Sequence, residues 1–145
     1  YTESRMVSEG MVVHNLVAGE GLSIPDTEPV LGVLVDEQPR AYVLQAFSGS
    51  MQRSLLHDNS GQKPVVVTCC GRTYTIRVFG GGEQPLPLIQ LGGWRADQTM
   101  ELLINGKGHS HKSDSLPLPE LPFEQTTWGA WKEAHPDTRV YTGRE

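Results

Sequence analysis

Residues 65–82 read VVVTCCGRTYTIRVFGGG. Apolar and β-branched residues flank Gly71-Arg72, and a two-residue connector with Gly first is the preference of a type II′ hairpin turn. The pattern predicts a tight hairpin in which Cys70 faces Thr73, Cys69 faces Tyr74 and Val67 faces Ile76. Side chains alternate across a strand, so Val65, Val67, Cys69, Tyr74, Ile76 and Val78 share an apolar face. Val66, Thr68, Cys70, Thr73, Thr75 and Arg77 share a more polar one. Cys69 and Cys70, the only two cysteines, therefore point apart. Cys69 is expected as a small hydrophobe in the core, and Cys70 at the more accessible turn end on Arg77's side of the sheet. Vicinal residues on opposite faces do not easily share one metal, and a vicinal disulfide would distort the chain. Free thiols are expected.

Outward from this hairpin, 16 glycines and 10 prolines cut the chain of 145 residues into short segments, as in a strand-rich domain. VLGVLVDEQPRAYVL (30–44) reads as two strands around the turn-prone DEQP. TMELLING (99–106) reads as a strand closed by the turn pair Asn105-Gly106. AFSGSMQRSLLHDN (46–59) has the spacing of a short helix with Ser48 or Ser50 as N-cap. KGHSHKSDSLPLPELP (107–122) is polar and then Pro-rich, which predicts an irregular or extended connection without its own core. Gly80–Gly82 follow a strand but precede no helix carrying Lys-Ser or Lys-Thr, so they predict a bend or flexible connection and no phosphate cradle.

TTWGAWKEAHP (126–136) is the clearest helix. Thr126 or Thr127 caps it, and Pro136 ends it by lacking a donor and restricting His135. Trp128, Trp131 and His135 fall at spacings of three and four and share a face that should pack on the sheet. Gly129 inside a helix costs about 1 kcal/mol relative to Ala, which points to close approach of a neighbouring element.

The formal net charge is −5, with no run of Lys or Arg. Nothing therefore attracts nucleic acid or an anionic membrane, and no apolar run reaches the roughly 20 residues that span a bilayer. The expected partner is an unidentified protein or small ligand, without membrane insertion of this chain. It opens on Tyr1, as expected of a trimmed or mature segment, and a removed export signal stays open.

Two groups of residues carry candidate chemistry. Cys70 with Arg77 forms the first, a candidate ligand-binding pair, because a nearby guanidinium favours a thiolate. No His or Asp is obliged to approach Cys70, so no catalytic residue is assigned. The second is GHSHKSD (108–114). His109 and His111 lie on one side of an extended segment, and with Cys70 they make a candidate site for a transition metal, the one cofactor considered. A protein-held zinc needs three or four ligands, which the spacing does not supply.

LLHDNSGQKPVVVTCC (55–70) resembles the segment I-V-N-D-x-x-G-G-x-P-V-x-V-T-Y-C of the bacterial domain-of-unknown-function family numbered 3179. TTWGAWKEAHPDTRVY (126–141) is similar to its closing T-x-W-x-x-W-x-x-x-H-P-x-T signature, and PRAYVL (39–44) resembles its ARAYPL strand. The resemblance implies a β-rich fold with a helix near the end, an extracytoplasmic setting (periplasmic or secreted), and a biochemical role that is itself uncharacterised. The family's Cys-x-x-Cys pair falls on Cys70 and Thr73, and its Trp-His-Glu falls on Gln52, Arg53 and Ser54. Pair and histidine are both missing here.

The expectation is an α+β fold in one domain over residues 1–145: a mainly antiparallel β-sheet or partly closed barrel with a short C-terminal helix packed on it. The function expected is a non-catalytic binding or interaction module. The alternative is a metal or thiol redox site using Cys70 with His109 and His111.

Overall fold

The computed structural model describes residues 7–143. In chain order the strands are β1 (Met11–Val13), β2 (Val17–Ala18), β3 (Pro29–Val35), β4 (Gln38–Val43), β5 (Leu55–Asp58) and β6 (Val65–Cys70). They continue as β7 (Thr75–Gly80), β8 (Ile89–Trp94), β9 (Met100–Ile104), β10 (Lys107–Ser110), β11 (Glu124–Thr127) and β12 (Arg139–Tyr141). One helix, α1 (Trp128–Ala134), separates the last two. The strands form three open sheets, ordered β1-β5-β6-β7, β10-β9-β8 and β11-β3-β4-β12-β2. Pairing is antiparallel except at β1/β5 and β4/β12, and among the described residues no sheet closes into a barrel.

The alternation of side chains stacks these sheets. One face of β5–β7 offers Leu56, Val65, Val67, Cys69 and Val78, which pack with Leu31, Val33, Val35 and Tyr42 of the five-stranded sheet. The opposite face offers Leu55, Val66, Cys70 and Phe79, which pack with Leu91, Met100 and Leu102 of the three-stranded sheet. The four-stranded sheet is thus buried on both faces. Adjacent residues of one strand feed different cores, as the pleat requires.

The far face of the five-stranded sheet packs on α1 through Val30, Ala41, Val43 and Val140 against Trp128 and Trp131. Thr127 caps the helix by accepting from the Ala130 N–H at 3.4 Å, and Pro136 follows the C-cap His135. His135 stacks on Trp131 with ring centroids 4.2 Å apart. Trp131 Nε1 donates to Thr138 Oγ1 at 2.8 Å, so the indole that fills this layer is also satisfied. A Cβ on Gly129 would stand 2.8 Å from Asp26 Cβ, which is the close approach the helix glycine predicts.

At the hairpin, three expectations need correction. The β6/β7 connection is four residues, Gly71–Tyr74, and the register is Cys70↔Thr75, Cys69↔Ile76 and Val67↔Val78. The two-residue shift keeps every side chain from Val65 to Cys70 on its expected face, because the pleat repeats every two residues. Tyr74, expected in the core, enters the turn instead and is 89% exposed. Cys70 is not accessible: it is 6% exposed, because the three-stranded sheet covers the face expected to be polar.

In place of a helix over 46–59 the chain forms two 3₁₀ turns, Leu44–Phe47 and Met51–Ser54, and then β5. Ser50 stands at the N-cap of the second without a side-chain capping bond, and the four residues before β5 are too few for an α-helix to propagate. The 107–122 stretch begins as strand β10 before becoming irregular. Here the Asn105-Gly106 pair adopts φ of 52° and 80°, both left-handed, and returns the chain antiparallel onto β9.

Candidate functional site

The structure separates the residues singled out in the sequence. Arg77 does not face Cys70 as a partner. Its Nε and Nη2 engage the Glu120 carboxylate, and its Nη1 donates to the backbone carbonyls of His111 at 2.9 Å and Ser113 at 2.6 Å. A guanidinium used in this way pins the irregular segment after β10 to β7. The carboxylate raises the pKa of Arg77, and the guanidinium holds Glu120 below the ordinary carboxylate range through the same hydrogen bonds.

His111 is fully buried beneath that clamp. Its N–H donates to the Met100 carbonyl at 2.8 Å, and its Nε2 lies 2.7 Å from Thr68 Oγ1. Burial first, and the Arg77 charge second, lower its pKa to about 4, so the ring is neutral near pH 7. Nδ1 has no hydrogen-bond partner among the described residues. His109 sits opposite Leu102 on β10 and is half-buried. Among the described residues no three His, Cys, Asp or Glu side chains gather as a metal site requires, so Cys70, His109 and His111 do not form one.

Both cysteines are free. Burial pushes the Cys69 thiol up to about 12, which keeps it protonated. Cys70 Sγ makes no hydrogen bond to a described residue, so no base is in place to activate it.

What the hairpin does build is a cleft of about 530 Å³ between its tip and the two 3₁₀ turns. Cys69, Cys70 and Ile76 form the strand side, and Leu44 and Phe47 the other apolar wall. Ser50, Ser54 and Gln125 contribute side-chain polar groups that make no hydrogen bond to a described residue. Arg72 lies at the tip with its guanidinium carbon 4.2 Å from the Trp94 ring centroid, which braces the turn on β8. Tyr74 completes the lip with φ of 56°. Sequence reading reached Cys70 but missed Ser54, Arg72, Tyr74 and Gln125. The Gly71-Arg72 turn signal lay beside the cleft, yet nothing local brings residues 44–54 and Gln125 to the same place.

Compared with models of protein families, with curated proteins and with solved structures, the chain finds no match. Among the described residues no helix is long and apolar enough to cross a membrane.

Proposed function

We propose that this chain is a non-catalytic binding module whose cleft at the β6/β7 tip takes an uncharged organic ligand with an apolar body and hydrogen-bonding groups at one edge. The observation that carries this reading is Tyr74. A bulky residue in the left-handed region costs on the order of 1–3 kcal/mol, a strain that recurs at ligand clamps. Here it holds an aromatic ring 89% exposed at the mouth of a largely apolar cleft. An aromatic face above apolar walls with a few convergent polar groups is the usual composition of a small-molecule site. Ser50, Ser54 and Gln125 supply those groups, and the cleft walls carry no carboxylate to select a cation.

The family resemblance lends further support. Cys70 and Ser54, the positions onto which it carries a cysteine and the end of Trp-His-Glu, line this same cleft. We read the chain as a divergent member that keeps the first of the paired cysteines, at Cys70, and lacks the second and the histidine. The extracytoplasmic setting is proposed with it, on the resemblance alone.

Nuclear magnetic resonance mapping with benzamide and N-acetyl-leucinamide as probes tests the reading. Saturable shifts at Cys69, Cys70, Tyr74 and Ile76, lost in Ser54→Trp, are expected. Resonances of the cleft that stay unshifted by both probes, or shifts that persist in Ser54→Trp, overturn it.

A further inference from the structure

A second constellation lies at the opposite end of the interface between the four- and five-stranded sheets. Asp58 is fully buried, and every acceptor position it has is in use. Oδ2 accepts from Arg40 Nη1 at 3.0 Å and from the Tyr42 hydroxyl; Oδ1 accepts from the Ser60 N–H at 3.0 Å and from the Ser60 hydroxyl. The carboxylate therefore holds Arg40 from one side only. Arg40 itself is 5% exposed, yet its Nη2 makes no hydrogen bond to a described residue.

That nitrogen lies against Gly61, where a Cβ would stand 2.2 Å from it. Gly61 and Arg40 form part of the wall of two adjoining cavities, of about 220 and 390 Å³, which also share Gln38 and Ser60. Arg139 closes the smaller one, fixed there by the bond from its Nη2 to the Leu16 carbonyl at 2.6 Å. In the larger one Lys63 and Asp36 are paired at 3.5 Å and cancel. Arg40 and Arg139 both line the smaller cavity and no carboxylate does, so the charge at its wall is positive.

We infer that the smaller cavity binds a compact carboxylate, received by Arg40 Nη2 and Arg139 with Asn15 and Gln38 as neighbours. A planar guanidinium with a free edge matches a carboxylate geometrically. Nη2 borders the cavity and takes no acceptor from the described residues, so it is available to an anion there. The site is distinct from the cleft at the hairpin tip and shares no residue with it. The carboxylate belongs either to a free small acid or to the C-terminus of a peptide.

Calorimetric titration with sodium acetate, with N-acetyl-Ala-Ala and with its C-terminal amide, at constant ionic strength, tests the inference. Acetate and the free peptide bind, and the amide does not. Comparable affinities assign a free acid, whereas peptide binding tighter than acetate assigns a chain terminus. Arg139→Gln weakens acetate binding by about tenfold or more, the order of one lost charge-assisted hydrogen bond. Gly61→Ala, which places a methyl group against Nη2, abolishes it, with the amide spectrum of each variant reporting that the fold is kept. Absence of acetate binding, binding of the amide as tight as the acid, or acetate affinity unchanged in Arg139→Gln overturns it.

Discussion

Cys69 and Cys70 are neighbours in the chain and belong to different hydrophobic cores. Cys69 packs with Leu56, Val67 and Tyr42 between the four- and five-stranded sheets; Cys70 packs with Val66, Phe79 and Leu91 between the four- and three-stranded sheets. The pleat of β6 separates the two thiols, and the same pleat makes β6 the strand on which both cores rest.

This separation sets thiol chemistry. The Cys69 pKa of about 12 leaves almost no thiolate at pH 8, so iodoacetamide should leave Cys69 unmodified in the native protein and label both cysteines in denaturant. Intact mass after oxidation with mild peroxide should show no loss of two hydrogens, because the side chains point into different layers. A vicinal disulfide in the native fold would contradict the layering.

His111 makes the fold acid-sensitive. Its folded pKa of about 4 lies below the ordinary 6.5, so the unfolded chain binds the proton more readily. The stabilisation is complete above about pH 6.5 and is lost as pH falls toward 4. Between pH 7.5 and 5 the loss amounts to about 2 kcal/mol, a window that lies above the titration of Glu120. Urea denaturation at the two pH values measures it, and His111→Gln should reduce the difference, leaving the contribution of His57, whose pKa burial also lowers.

Asp58 is the buried charge whose removal matters most. Asp58→Ala strips Arg40 and the Tyr42 hydroxyl of their acceptor inside the protein, and the expected cost is about 3–5 kcal/mol. Lys63→Ala, which breaks the exposed pair with Asp36, should cost less than about 1 kcal/mol. Denaturation midpoints of the two variants give the comparison directly.

Gly32 provides the seat of Trp131. A Cβ at this position of β3 would stand 2.3 Å from the Trp131 ring, which cannot retreat without leaving Thr138. Gly32→Ala should therefore destabilise the protein by about 1–3 kcal/mol through overpacking, despite the better strand propensity of alanine. Thermal melting followed by near-ultraviolet circular dichroism of the tryptophans checks it.

Periodicity made the layers legible and left their contacts hidden. The alternation around residues 65–80 places Cys69 and Cys70 on opposite faces whatever the turn, because a shift of two residues preserves parity. The turn length was illegible because Gly71-Arg72 satisfies a two-residue turn locally, while the observed turn brings Arg72 over Trp94, a contact made far along the chain. Asn105-Gly106 and the Thr127-capped helix were legible because their signals are local. The burial of His111 was not, since Thr68 and Arg77 come to it across 43 and 34 residues. The cleft was illegible for the same reason: its walls are three separate stretches of chain, and one candidate partner of Cys70, Arg77, is spent on Glu120.

The cleft at the hairpin tip is tested most directly by calorimetric titration of whichever amide probe maps there into the unmodified protein, Tyr74→Ala and Ser54→Trp. A ring held at the lip for stacking and a cavity that accommodates the ligand body predict weakened binding in the first variant and none in the second, with thermal stability kept in both. Affinity unchanged in both variants would contradict the account.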